Sequence, residues 1–155
     1  MIYFDTAYLL KCYVNENGSE DVRSFASQHD RIACCEFGRL ELSAAFHRVL
    51  REGFIDEGYF KTIFEQFQQD EQDGVWTWLP LSLDLMESVV SGFKSLPATV
   101  YLRTGDLIHL QCAAVNNVFD LYTNDTHMLK AADHFGVNAS NVIAAGCPEQ
   151  EPPNQ

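Results

Sequence analysis

Met1-Ile2-Tyr3-Phe4-Asp5-Thr6 opens the chain, and its reading decides the fold. The four apolar residues Met1 to Phe4 are too few for a helix and rich in β-formers. They read as a strand buried on both faces, central in a parallel sheet. Asp5 ends that strand. In open parallel α/β sheets, ligands bind in the crevice beyond the carboxyl ends of the strands, so a carboxylate at this point is placed for chemistry. The same side chain suits the N-cap of a helix starting near Thr6. This stretch alone leaves both readings open.

Working outward, the chain alternates helical and extended patterns. Residues 7–13 read as a short helix and 15–18 as a turn. Ser19 reads as an N-cap, with Val22, Phe25, Ala26 and His29 following at helical spacing. Residues 31–35 predict a second strand and 36–52 a helix ended by Gly53. Asp56 to Asp73 is the clearest amphipathic helix, with Phe60, Ile63, Phe64 and Phe67 on one stripe. Residues 75–79 read as a strand stopped by Pro80, and a helix follows Ser82. Pro97 and Gly105 mark 95–105 as a loop. Beyond it come a helix over 106–116, a strand over 119–123, a helix over 126–135 closed by Gly136, and a last strand at Val142-Ile143-Ala144. Such alternation predicts a three-layer α/β/α sandwich around a central parallel sheet, formed by residues 1–145, with 146–155 as a flexible polar tail.

The 155 residues suit one domain with a real core, and 46% hydrophobic with 21% charged residues is an ordinary globular composition. No apolar run approaches the ~20 residues that span a bilayer, and the start lacks a signal peptide's basic and apolar regions. The expectation is a cytoplasmic protein with no membrane partner. Cys12, Cys34, Cys35, Cys112 and Cys147 show no C-x-x-C spacing. Cys34 and Cys35 would point to opposite faces of a strand, which suits neither a disulfide framework nor a zinc site. They read as small buried residues in a reducing compartment. The net charge of −12 argues at first against a nucleic-acid partner. Yet the acidity is concentrated: Glu52 to Asp73 holds seven acids against Lys61 alone, and Glu149 and Glu151 sit in the tail.

Three acids stand out by position. Asp5 closes the first strand, Asp125 follows the strand 119–123, and Asp106 opens the helix after the loop. In a parallel sheet, strand ends and helix starts share one rim, so these residues can converge although about 120 positions separate the first from the last. Glu41, one turn inside its helix and on a face with Ala45 and Arg48, is the fourth candidate; Glu36 lies nearby as its competitor. Four such carboxylates repel one another unless a divalent cation neutralises them. An all-oxygen ligand set suits Mg²⁺ or Mn²⁺ rather than zinc.

The blocks MIYFDTAYLL, LELSAAFHRVLREG, TGDLIHLQCAA and LYTNDTHMLKAA, in this order and spacing, resemble the PIN domain, especially the VapC-type toxins of bacterial toxin–antitoxin pairs. The resemblance implies a Mg²⁺- or Mn²⁺-dependent endoribonuclease acting on an RNA substrate, a cognate antitoxin that blocks the site, and a homodimer. Block by block, the family's acidic residues fall on Asp5, Glu41, Asp106 and Asp125. Phosphodiester cleavage independently calls for a cation that stabilises charge on the non-bridging oxygens and lowers the pKa of an attacking water. Asp5 and Asp106 read as main ligands, with Asp125 and Glu41 completing the site directly or through water. Thr123 and Asn124 can orient a carboxylate or meet a phosphate.

Arg48, Arg51, Arg39 and Arg103 are the candidate phosphate contacts, with Arg48 and Arg103 foremost. His109, one turn after Asp106, is within reach of the site but reads more readily as a packed helix histidine. No H-x-x-x-H pair speaks for zinc. Trp76 and Trp78 offer stacking surfaces, although strand packing accounts for them. Two other functions fit parts of the pattern. One is a catalytically inactive PIN-like module that binds protein through its acidic surface. The other is a haloacid-dehalogenase-like phosphohydrolase, which needs a second Asp two residues beyond Asp5, where the chain has Ala7.

Overall fold

Strand β1 (Ile2–Phe4) lies at the centre of a five-stranded, all-parallel sheet in the computed structural model, which describes residues 1–144. The chain runs α1 (Thr6–Tyr13), α2 (Ser19–Ala26), β2 (Ile32–Cys35), α3 (Glu36–Arg51), α4 (Glu57–Gln72) and β3 (Trp76–Leu79). It continues through α5 (Leu83–Ser95), α6 (Thr104–Val115), β4 (Asp120–Tyr122), α7 (Thr126–Ala131) with a 3-10 turn at Ala132–Phe135, and β5 (Asn138–Ser140). The strand order is β3-β2-β1-β4-β5. The sheet therefore grows outward from β1 in one direction through β2 and β3, then resumes on the other side with β4. The reversal falls between β1 and β4, the crevice where doubly wound sheets place their ligands.

Alternation along the strands divides the core into two faces, as period-2 geometry requires. Tyr3, Ala33, Cys35 and Leu121 pack under α5, α6 and α7 through Leu85, Val89, Leu107, Leu110 and Met128. Ile2, Phe4, Ile32 and Cys34 face α1 to α4 through Leu9, Val22, Leu42, Phe46, Ile63 and Phe67. The result is the expected three-layer α/β/α sandwich. Full burial of each Leu, Phe or Met contributes about 1.5–3 kcal/mol, so these two faces fix the sheet on which the site is mounted. Cys34 and Cys35 do lie on opposite faces, and Cys12, Cys34, Cys35 and Cys112 are free thiols. Among the described residues no helix is long and apolar enough to cross a membrane.

Several local expectations need correction. The last strand is not Val142-Ile143-Ala144 but β5, in which Asn138 and Ser140 pair with Asp120 and Tyr122. Val142 and Ile143 instead pack into the core face shared with α1 and α2, with Ile143 lying against Gly18. Ser19 is the first residue of α2 rather than its cap. Gly18 holds that place at φ 78°, and the Ser19 hydroxyl accepts from the Glu16 N–H at 2.9 Å while donating to the Val14 carbonyl at 2.9 Å. Helix α6 starts at Thr104, so Gly105 belongs to the helix and not to the loop before it. The helix over 126–135 tightens into its 3-10 turn after Ala131. The 146–155 tail lies outside the described residues.

Candidate active site

The carboxyl ends of β1 and β4 open into a cleft of about 410 Å³ whose walls include Asp5, Glu41, Asp106 and Asp125. All four acids singled out in the sequence are brought to one place. Each wall has a local reason to form. Asp5 caps α1, its Oδ1 accepting the Tyr8 N–H at 2.9 Å. Asp125 caps α7, its Oδ1 accepting from His127 at 2.7 Å and Met128 at 3.1 Å. Asp106 sits in the first turn of α6 and reaches back to the Arg103 N–H at 2.9 Å. The capping reading and the cleft reading of these acids are therefore both true of the same side chains.

Thr123 ties the two strand ends together. Its hydroxyl, fully buried, donates to Asp5 Oδ2 and accepts the Asp125 N–H at 2.9 Å. Arg103 ties the other pair. Its guanidinium reaches Asp106 from Nε at 3.1 Å and Asp125 Oδ2 from a terminal nitrogen at 2.8 Å. Asn124 lines the cleft between these groups, as does Arg48 from α3.

Glu41 enters the cleft from α3, and Glu36 does not. The Glu36 carboxylate turns away and accepts the Leu81 N–H at 3.1 Å, whereas Glu41 Oε2 accepts from Thr6 Oγ1 at 2.6 Å and lies 2.9 Å from His109 Nε2. Gly105 makes room for it: a Cβ there would stand 2.8 Å from Glu41 Oε1. Burial drives the Asp5 carboxyl above its ordinary value, against the opposing pull of the Thr123 hydroxyl, His109 and the Tyr8 N–H. For Glu41 burial also acts upward, but the hydrogen bond and charge of His109, the Thr6 hydroxyl and Arg103 prevail and hold it below its ordinary value. Burial pulls His109 down, and the neighbouring Cys34 and Glu41 overcome this, leaving it well above a free histidine.

The remaining sequence candidates divide. Arg39 is not in the cleft; it pairs with Glu71 in a wider groove of about 890 Å³ along β3, which Glu36 and Trp78 also line. Arg51 stands 3.5 Å from Glu52 at the end of α3. Trp76 is a core residue donating to the Tyr13 hydroxyl at 2.6 Å, whereas Trp78 packs edge-on against Phe67 and is half-buried on the wall of the groove, away from the cleft. His109 is packed as expected, yet it also contacts Glu41, which its spacing from Asp106 signalled only in part. Thr6 and Lys11 were missed. Thr6 directly follows Asp5, and Lys11 is one turn beyond Ala7 on the same wall; Lys11 is buried and bonded to Glu16 at 2.6 Å.

The donor set is oxygen throughout, the chemistry that suits Mg²⁺ or Mn²⁺. The Arg103 guanidinium between Asp106 and Asp125 marks where these acids already hold a positive charge. Among the described residues no three His, Cys, Asp or Glu side chains stand grouped to hold a metal ion. In the chemistry of its donors the cleft suits a hard divalent cation. No family model matches the chain, and no curated protein matches it.

Proposed function

We propose that the protein is a Mg²⁺- or Mn²⁺-dependent endoribonuclease of the PIN type, the toxin of a toxin–antitoxin pair. The observation that carries this reading is the convergence of Asp5, Glu41, Asp106 and Asp125 on one cleft at the point where the strand order reverses. Those four acids fall on the four blocks that resemble the family. Asp5, Asp106, Asp125 and Glu41 would hold the cation, which when bound supplies charge stabilisation at the phosphate and a water of lowered pKa.

The chain's own residues do the rest. Thr123 fixes Asp5 relative to Asp125, so the two strand-end carboxylates keep one spacing. Arg103 and Arg48 line the same cleft and are the cations available to RNA phosphates, whereas Lys11 is buried and paired with Glu16. Arg103 is 62% exposed in its side chain and can turn from the acids to a phosphate without disturbing the core. A homodimer and a cognate antitoxin belong to this reading through the resemblance. An antitoxin segment rich in Lys or Arg would complement the acid-rich α4.

The test is cleavage of a mixed RNA pool by purified protein with Mg²⁺ or Mn²⁺. Wild type is expected to cut and to stop on chelation; Asp5→Asn and Asp106→Asn are expected to be silent yet folded. Equal cleavage by all three, or none by wild type with either ion, overturns the proposal. The second reading, a binding module without catalysis, draws on the Arg103 bridge, which satisfies Asp106 and Asp125 without a metal. A wild-type protein that neither binds Mn²⁺ nor cuts RNA would favour it.

A further inference from the structure

We infer that His109 is a positioning residue, holding the Glu41 carboxylate in place on the cleft wall from inside the core. His109 is 3% exposed, on α6, one turn beyond Asp106. Its Nε2 lies 2.9 Å from Glu41 Oε2 and 3.1 Å from Thr6 Oγ1. On the other side of the ring, Nδ1 lies 2.8 Å from the Tyr3 hydroxyl.

The proton positions follow from the partners. The Glu41 carboxylate can only accept, so Nε2 carries the proton that faces it. In the neutral ring Nδ1 then accepts from the Tyr3 hydroxyl, whose oxygen also takes the Cys35 N–H at 3.0 Å. In the imidazolium both nitrogens carry protons, and Nε2 again donates to Glu41. The direction of this bond is therefore the same in either form.

Packing alone would not ask for it. Tyr3 and Thr6 suffice to satisfy a buried ring without a carboxylate. The Glu41 side chain is 34% exposed and lines the cleft. A glutamate on a helix surface is a long, mobile group, and here two donors from different elements converge on one of its oxygens while Gly105 leaves space beside the other. A site whose carboxylates must meet a ligand at fixed spacing needs such supports. What the support is for rests on the ribonuclease reading; the support itself does not.

The experiment uses the full chain, with Mn²⁺ as the probe. In metal-free wild type, the His109 Nε2 proton is expected as a slowly exchanging downfield imidazole signal that moves when Glu41→Gln removes the charge it faces. Electron paramagnetic resonance then reads Mn²⁺ affinity. His109→Leu, which keeps apolar volume but no donor, is expected to weaken it by about tenfold or more. His109→Gln, which returns an N–H near the Nε2 position, is expected to recover most of the loss. A folded Leu variant with wild-type affinity, or a Gln variant no better than Leu, overturns the inference. Should wild type bind no Mn²⁺, the ribonuclease reading fails separately, and the imidazole signal decides: if Glu41→Gln leaves it in place, His109 does not hold Glu41.

Discussion

The groove along β3 and the cleft beyond β1 and β4 differ in how they hold their charges. The groove is about twice as large, but its carboxylates are occupied: Glu71 pairs with Arg39, and Glu36 accepts the Leu81 N–H. The smaller cleft gathers five acids: Asp106 and Asp125 share Arg103, Glu16 pairs with Lys11, Glu41 lies against His109, and Asp5 is bonded only to neutral donors. Satisfied charges make a surface. The cleft gathers more carboxylates than the groove, Asp5 among them buried with no ion-pair partner, and on the ribonuclease reading that is where a cation would be held.

Neutralising acids on each side should break the comparison most visibly. Asp5→Asn or Asp106→Asn is expected to lower RNA cleavage by about two orders of magnitude or more, whereas Glu36→Gln and Glu71→Gln leave the rate near wild type in the same assay. A smaller effect is expected inside the cleft from Gly105→Ala. The added Cβ would meet Glu41 Oε1 at 2.8 Å, and a side-chain tip yields before a helix does. Cleavage should fall roughly tenfold while a thermal melt shows no loss, since Ala is about 0.8–1.0 kcal/mol better than Gly in a helix.

Acid titration sharpens the contrast further. Glu41 is held below its ordinary 4.5, so its contribution to stability is complete above that value and is lost as pH falls through the depressed one. Asp5 runs the other way: raised by burial, it imposes a penalty that lifts as pH falls through its raised value and is gone below 3.8. Urea melts at stepped pH should therefore show a flatter acid limb for Glu41→Gln, and for Asp5→Asn a steeper loss toward acid than wild type. The smallest change is expected in the groove. Arg39→Ala removes a pair whose arginine is half exposed, worth under about 1 kcal/mol and less in high salt.

Much of this was legible because the signals are local. The apolar run Met1 to Phe4, the stripe of Phe60, Ile63, Phe64 and Phe67, and the acids Asp5 and Asp125 after two of the strands are all read within a few residues. Strand β5 escaped because Asn138-Ala139-Ser140 has no β-forming side chains; its place at the sheet edge comes from pairing with β4. The more apolar Val142-Ile143 drew the strand assignment, yet its burial is against α1 and α2. The Glu41–His109 contact joins positions 68 residues apart, and Tyr3–His109 joins positions 106 apart. No spacing rule spans such intervals, so a histidine within reach of the site read more readily as packing.

The central position of β1 also bears on how the molecule comes into being. As the ribosome delivers the chain, β2 covers one flank of β1 early, but the other waits for Asp120–Tyr122. Until then Asp5 lacks Thr123, and β1 presents an open edge prone to pairing with strangers. A nascent or prematurely terminated polypeptide is thus sticky and without the cleft, whose lining is complete only once the chain extends through Asp125 to Met128.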